Sequence, residues 1–216
     1  MKKEELAKFH RDSIMDAAER LFLEKGIEKT TMDDIAREAD YSKATIYVYF
    51  KNKDEVYNRI VYRSIKLLLE RIMKALSDSK DLLGRYCGIC NELARYSEEY
   101  PLYFESVTGR INVDIEVKET PQVFRDIYET GEEIVGEIED FILEAISKGA
   151  IRADIQIKQV SFLFWAGITG IIRMAGQKEA YIRKTMGISK DEFMQFGFRS
   201  LLRTILTEKE AQEWQI

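Results

Sequence analysis

The sequence predicts an all-α protein. Of its 216 residues, 45% are hydrophobic and 33% are charged, a balance that favours a folded, soluble chain over a disordered one. Only 12 glycines and 2 prolines occur, which leaves little turn-forming sequence for a fold of many strands. Apolar residues recur at helical spacing and do not alternate as they would along half-buried strands. We expect about nine helices.

Local signals place the first three helices near the N-terminus. They are expected over about residues 8–25, 31–39 and 42–50. Gly26 supplies the left-handed residue that ends the first helix. Thr31 is a suitable N-cap for the second helix, with Asp34 three residues later, and Ser42 caps the third. These three short helices form a predicted N-terminal domain over residues 1–53.

A long fourth helix is expected from Asn52 to about Leu76. Asn52 is its predicted cap, and Glu55 follows three residues later as in a capping box. We expect this helix, residues 52–76, to join the N-terminal domain to a second domain over residues 54–216.

Five further helices complete the second domain. The segment 110–119 is expected to be less regular, and Ser189 with Glu192 predicts a capping box for the last helix. The five helices are expected at about residues 81–98, from Pro101, from Thr120 to Gly149, at 155–175 and at 189–206.

The third helix has a surface suited to a DNA groove. Ile46 and Phe50 lie four residues apart and are the natural core anchors. One short helix cannot bury four large side chains, so we expect Tyr47 and Tyr49 to stay outside. Short or flat side chains near the start of a helix can reach base edges, while lysines and tyrosine hydroxyls reach phosphates. The outward residues are Lys43, Ala44, Thr45, Tyr47 and Val48, and the hydroxyl of Tyr49 can also reach a flanking phosphate.

Two neighbouring helix N-termini add candidate phosphate contacts. Backbone N–H groups at such ends attract anions. Thr30 and Thr31 precede the second helix, Ser42 precedes the third, and Lys53 lies in the first turn of the fourth. The net charge of −5 neither supports nor excludes DNA binding, because the stretch 41–53 carries three lysines and no acid.

The N-terminal pattern resembles that of the tetracycline-repressor (TetR) family of transcription regulators. The resemblance covers about residues 11–57 and is carried by T-x-x-x-I-A-x-x-A, beginning at Thr31, and S-K-A-T-I-Y-x-Y-F-K-N-K-x-E, beginning at Ser42. It implies an all-α homodimer that binds a palindromic operator and releases it when a small molecule enters the C-terminal domain. One departure from the family pattern is Tyr49, where histidine is frequent. By this resemblance, the positions that contact DNA are Thr31, Lys43, Thr45, Tyr47, Tyr49 and Lys53, and those where operator preference varies are Lys43, Ala44 and Val48.

The last two predicted helices are candidates for a dimer interface. The helix at 155–175 is apolar nearly all round and therefore needs partners on both sides. The resemblance places both helices in a four-helix interface between subunits, and the alternative is ordinary packing within one chain. The expected interface residues are Phe164, Gly167, Gly170, Ile171, Phe193, Phe196, Gly197 and Leu201.

Aromatic residues of the second domain are candidates for an effector pocket. Several tyrosines would suit a small, largely apolar or aromatic molecule with a few polar groups. Aromatic residues at helical spacing also commonly form core, so this alternative stays open. The candidate residues are Tyr86, Cys90, Tyr103, Phe104, Phe124, Tyr128 and Trp165.

The sequence offers little for catalysis, metals or cofactors. Cys87 and Cys90 form a C-x-x-C pair, but zinc needs about four ligands and the one histidine, His10, lies in the other predicted domain. No glycine-rich phosphate-binding loop and no nucleophile–histidine arrangement occurs in the sequence. We expect no enzyme activity, cofactor or metal, although a role for the two thiols in redox sensing stays open.

These observations favour a ligand-responsive, DNA-binding repressor that acts as a homodimer. A transcriptional activator, or a helical ligand-binding or interaction protein without operator binding, are the alternatives. We expect a cytoplasmic location and no membrane association, because the N-terminus lacks an apolar signal-peptide core and the longest uncharged run, from Gln159 to Ile172, is shorter than a membrane span.

Overall fold

The structure, a computed structural model, describes residues 3–109 and 120–213. The less regular segment predicted at 110–119 lies outside them. Eleven helices occur in the described part of the chain, and one isolated antiparallel bridge joins Ile151 and Leu206. The helices are α1 (Lys3–Lys25), α2 (Met32–Glu38), α3 (Lys43–Tyr49), α4 (Lys53–Asp78), α5 (Leu82–Glu99), α6 (Pro101–Thr108), α7 (Gln122–Ser147), α8 (Ile157–Gln177), α9 (Glu179–Met186), α10 (Lys190–Arg203) and α11 (Glu208–Glu213).

The all-α prediction is confirmed, and the helix count was two too low within the described residues. Nine of the helices correspond to those expected from the sequence. The missed ones are the eight-residue α9 and the six-residue α11. Ile182 is buried in α9, and no residue is buried in α11. Such short helices have too few core-facing residues to give a periodic signal.

The predicted helix caps agree with the structure, whereas α1 begins at Lys3 rather than near residue 8 and α10 ends at Arg203 rather than near residue 206. Gly26 and Gly149 adopt the left-handed conformation, with φ of 83° and 73°. Asn52 Oδ1 accepts a hydrogen bond from the Glu55 backbone at 2.8 Å, which starts α4 where the sequence predicts. Ser189 and Glu192 form a complete capping box at the start of α10.

The chain divides into two compact units. Unit 1 comprises Met1–Leu67 and Tyr100–Thr130, and unit 2 comprises Leu68–Glu99 and Gly131–Ile216. Helices α4 and α7 each contribute residues to both units. The division predicted at residue 53 follows from the helix-turn-helix motif alone and stays a prediction.

Unit 1 holds the three N-terminal helices around a small apolar core. Ile14, Ile35 and Ile46, one from each helix, are fully buried. Residues from α4, α6 and α7 complete the unit, and α6 packs against α1.

In unit 2, helices α8 and α10 pack closely against each other. A methyl group on Gly167 of α8 would lie 2.8 Å from Leu201 Cδ2, and one on Gly197 of α10 would lie 3.0 Å from Ile171 Cδ1. The two contacts run in opposite chain directions, so the helices are antiparallel. Over residues 3–109 and 120–213, none of the helices combines the length and apolar composition that crossing a membrane requires.

Candidate nucleic-acid interface

Helix α3 is fixed by two buried side chains and presents its other face to solvent. Ile46 is fully buried and Phe50 is 2% exposed, as the sequence predicts. Tyr47 is 47% exposed and Val48 is 76% exposed, which is unusual for residues of their size. The chain enters α3 through a tight turn in which Asp40 has a φ of 58°. The structure therefore brings Lys43, Ala44, Tyr47 and Val48 together on one exposed helical surface.

The N-terminus of α2 is held by a capping box centred on Asp34. The Asp34 carboxylate accepts hydrogen bonds from the Thr31 backbone N–H and hydroxyl. The backbone N–H of Asp34 donates to Thr31 Oγ1 at 3.1 Å. Lys25 and Arg37 approach the same carboxylate at 2.7 and 2.6 Å. The Lys25 ammonium and the hydrogen bonds from Thr31 hold the pKa of Asp34 well below its usual range. Thr31 is exposed at this fixed helix end.

Ser42 caps α3 and also binds the predicted base-reading residue Thr45. Ser42 Oγ accepts the Thr45 N–H at 3.1 Å, and the two hydroxyl oxygens are 2.8 Å apart. The Thr45 hydroxyl is therefore engaged in the helix cap, and Ser42 itself remains exposed.

Two of the predicted DNA-contacting lysines have partners within unit 1. Lys43 Nζ lies 2.7 Å from Asp33 Oδ1, and this carboxylate raises the pKa of Lys43 above its usual value. Both side chains are about 60% exposed, so phosphate can compete for this lysine. Lys53 Nζ donates to the backbone oxygens of Ile27 at 2.6 Å and Glu28 at 3.4 Å, which ties the start of α4 to the turn between α1 and α2.

The prediction of a DNA contact by the Thr30 side chain needs correction. Thr30 is only 1% exposed, and its hydroxyl donates to the Gly26 oxygen at 2.9 Å. Its backbone N–H donates to Ile27. Both groups stabilise the turn between α1 and α2, so neither is available at the surface.

Three residues that the sequence analysis did not select lie beside α3. His10 Nδ1 is 2.7 Å from the Tyr41 hydroxyl, and the His10 ring lies 5.5 Å from the Tyr49 ring. The Arg11 guanidinium lies 6.0 Å from the centre of the Tyr49 ring. Tyr41 precedes the Ser42 cap and could have been selected for its position. His10 and Arg11 are brought there only by tertiary packing.

The predicted dimer residues occupy two different environments in unit 2. Phe196 is 71% exposed, and Gly170 is exposed with open space beside it. Gly167, Ile171, Gly197 and Leu201 instead form the contact between α8 and α10 described above. Phe193 is partly exposed beside α9 and lines a cleft there.

Phe164 needs correction as a surface residue. It is 7% exposed and its ring lies 5.9 Å from that of Tyr86, so it faces the interior of unit 2. The exposed stripe of α8 lies on another side of the helix and includes residues that the sequence analysis passed over. That stripe consists of Phe162, Leu163, Ala166, Gly170 and Met174.

The predicted effector residues are divided between the two units. Tyr86, Cys90 and Trp165 belong to unit 2, and the other four belong to unit 1: Tyr103, Phe104, Phe124 and Tyr128. The Tyr86 hydroxyl donates to the Phe198 oxygen at 2.9 Å, and burial raises the pKa of this tyrosine. The Tyr103 hydroxyl donates to Glu19 at 3.0 Å.

Cys90 and Phe104 are buried, whereas Phe124 and Trp165 are half-buried and Tyr128 is 41% exposed. Unit 2 contains two clefts of about 250 and 240 Å³, lined by other residues that include Arg85 and Phe141 in the first and Met174 and Tyr181 in the second.

The two cysteines are buried to different degrees, which predicts different reactivity. Cys90 is fully buried and Cys87 is partly exposed, and burial raises the pKa of both thiols. Since the thiolate is the reactive form, both should react slowly with iodoacetamide. We expect Cys87 to be alkylated first and Cys90 to react only on unfolding. Peptide mass spectrometry of a labelling time course measures this order, and equal labelling rates in the folded protein would contradict it.

The fold and this site define a helix-turn-helix protein whose third helix has one exposed face. Residues 14–60 match the family described as bacterial regulatory proteins, tetR family. This stretch of the chain is therefore similar to the N-terminal domain of TetR-family regulators, and the curated proteins that match the chain are described as transcriptional regulators.

Curated relatives match half to two thirds of the chain. The chain is 28% identical over 109 residues to the biofilm operon icaADBC HTH-type negative transcriptional regulator IcaR of Staphylococcus epidermidis. The match covers 50% of this chain and 59% of that protein. In the IcaR of Staphylococcus aureus strain Newman the match is also 28% identical, over 138 residues, and covers 64% of this chain and 66% of the relative. These matches span less than two thirds of the relatives' own length.

Solved structures share the fold over most of the chain. A Rhodococcus sp. RHA1 protein of unknown function superposes with a TM-score of 0.74 at 14% identity, covering 92% of this chain and 96% of that one.

Proposed function

We propose that this protein is a transcriptional repressor that binds a palindromic operator as a homodimer. The observation that carries the proposal is the exposed face of α3, where Lys43, Ala44, Tyr47 and Val48 lie on a helix anchored by Ile46 and Phe50. A helix with this exposed composition can enter a major groove and combine base-edge and phosphate contacts. The name of the IcaR relatives, negative transcriptional regulators, supports repression as the direction of control.

The exposed apolar stripe of α8 supports a dimer. Leu163 is 58% exposed and Met174 is 49% exposed, and α10 adds Phe196 at 71%. Monomeric soluble proteins rarely leave such a stripe uncovered. We propose that a second copy of the chain covers this stripe. Such a dimer would also match a palindromic site, because one two-fold axis would relate both the subunits and the half-sites.

We further propose that a small, largely apolar or aromatic effector binds the C-terminal domain and releases the DNA. Helix α4 runs without interruption from Lys53 to Asp78 and contributes residues to both units. A shift of this helix would change the separation of the two reading helices from the roughly 34 Å between successive major grooves. The effector can release DNA only if it binds more tightly to the conformation in which the two α3 helices no longer match successive major grooves.

Selection from a random-sequence duplex pool at a stated salt concentration tests the proposal. Recovery of a palindrome with two half-sites one helical turn apart is the expected result. The selection uses protein that has been unfolded and refolded to remove any bound small molecule. If no sequence is enriched above non-specific binding, operator binding is contradicted and a ligand-binding protein is favoured.

We expect Tyr47→Phe to weaken binding to any DNA sequence by about 0.5–1.5 kcal/mol. The substitution removes one hydroxyl from the exposed face of α3, and this is the usual net value of a hydrogen bond. The matched control is Tyr181→Phe, since Tyr181 is also exposed but lies on α9. Fluorescence anisotropy with selected and scrambled duplexes measures both. Equal affinities for the Tyr47→Phe variant and the wild type would show that this hydroxyl does not contact DNA.

A further inference from the structure

The cations on and beside α3 are largely engaged within unit 1. Lys43 is the one cation in α3, and it pairs with Asp33. Lys53, at the start of α4, donates to two backbone oxygens in the turn between α1 and α2. Phosphate binding requires cations that can exchange their counterions for DNA. Lys51, which follows α3, is exposed, and a further cation near α3 would add to this phosphate-binding surface on a chain of net charge −5.

Helix α1 brings an arginine and the histidine to both ends of α3. The Arg11 guanidinium lies 6.0 Å from the centre of the Tyr49 ring, and Tyr49 is the last residue of α3. His10 lies between Tyr49, at 5.5 Å between ring centres, and Tyr41, whose hydroxyl is 2.7 Å from His10 Nδ1. Tyr41 directly precedes the cap of α3. This cluster thus connects the third turn of α1 to the beginning and the end of the reading helix.

Arg11 differs from the other arginines of α1 and α2 in its surroundings. Arg20 faces Glu38 at 2.8 Å and Arg37 faces Asp34 at 2.6 Å, so each has a carboxylate beside it. Arg11 is exposed and lies over an aromatic ring, a contact that holds a guanidinium without neutralising its charge. A guanidinium held in this way can still form two parallel hydrogen bonds to a phosphate.

We propose that α1 is a third part of the DNA interface, in which Arg11 binds a backbone phosphate and His10 is a positioning residue for Tyr41. The hydrogen bond between His10 Nδ1 and the Tyr41 hydroxyl holds the Tyr41 ring beside the α3 cap, where that hydroxyl contacts DNA. This inference rests on the proposed DNA binding and adds residues that lie outside the motif on α2 and α3.

The salt dependence of DNA binding tests the role of Arg11. The probe is a fluorescein-labelled random-sequence duplex about three helical turns long, titrated between about 50 and 200 mM salt. The log of the affinity falls linearly with the log of the salt concentration. Arg11→Gln should make this negative slope shallower by about 0.9 for each DNA-bound subunit that carries the substitution. Arg20→Gln, on the same helix and beside a carboxylate, is the matched control and should leave the slope unchanged. An unchanged slope for Arg11→Gln, with the wild type binding, would overturn the proposal and leave the proposed function intact.

A double-mutant cycle tests His10 as a positioning residue. His10→Phe keeps a ring beside Tyr49 but removes the bond to Tyr41, and Tyr41→Phe removes that bond and the hydroxyl itself. Each should weaken binding about two- to tenfold without changing the melting temperature by more than the Arg20→Gln control does. The double variant should be no weaker than Tyr41→Phe alone, since Tyr41 acts on DNA through the hydroxyl that His10 orients. Additive losses would overturn the positioning role, and a wild type that binds no duplex would overturn both this inference and the proposed function.

Discussion

Replacing Phe196 with glutamate is expected to convert the protein into a monomer and to remove most of its operator affinity. Phe196 is 71% exposed on α10, so the substitution should leave the packing within one chain unchanged. In the proposed dimer the new carboxylate would be buried without a partner, which costs several kcal/mol. Losing the second head removes the gain from binding two half-sites at once, roughly 10²- to 10⁴-fold in affinity.

The measurement is size-exclusion chromatography with light scattering, followed by binding to the selected palindrome. Leu143→Glu is the matched control, because Leu143 is 49% exposed in unit 2 but lies on α7 and not on α8 or α10. The control should remain dimeric and bind DNA. A dimeric Phe196→Glu protein with wild-type operator affinity would show that the α8 and α10 surface is not the interface.

The sequence predicted those features of the fold that depend on local chemistry. The caps by Thr31, Ser42, Asn52 and Ser189 occur as predicted, because a cap needs only a short side chain and a backbone N–H two or three residues later. The division of α3 into buried and exposed faces was also predictable, since only Ile46 and Phe50 share one side.

The remaining features depend on tertiary packing, which a local pattern does not contain. Thr30 looks like a second helix-start threonine in the sequence, but its side chain folds back to the carbonyl of Gly26. Phe164 belongs to a helix that is apolar nearly all round, so periodicity alone could not tell its inner face from its outer one. The pairing of Lys43 with Asp33 joins two helices across the turn and is equally invisible in the spacing of charges.

Arginine 63 is expected to make the largest single contribution of any charged residue to the stability of unit 1. Its Nη1 lies 2.6 Å from Asp16 and its Nη2 lies 2.7 Å from Glu19, and both carboxylates belong to α1. Tyr103 of α6 donates to the same Glu19 oxygen at 3.0 Å. Arg63 of α4 therefore binds two carboxylates of α1, and α6 binds one of the same carboxylates through Tyr103.

Arg63→Leu should destabilise unit 1 by about 2 kcal/mol, less than the loss for a fully buried pair because the arginine side chain is 29% exposed. The substitution removes the cation beside the half-buried Glu19 carboxylate, which then keeps only its hydrogen bond from Tyr103. Arg20→Leu is the control, since its pair with Glu38 is well exposed and should be worth less than about 1 kcal/mol. Urea unfolding of the two variants gives the comparison. Equal losses would mean that the network is no more than a set of surface ion pairs, whereas a larger loss for Arg63→Leu would show that α4 helps to hold α1 in place within unit 1.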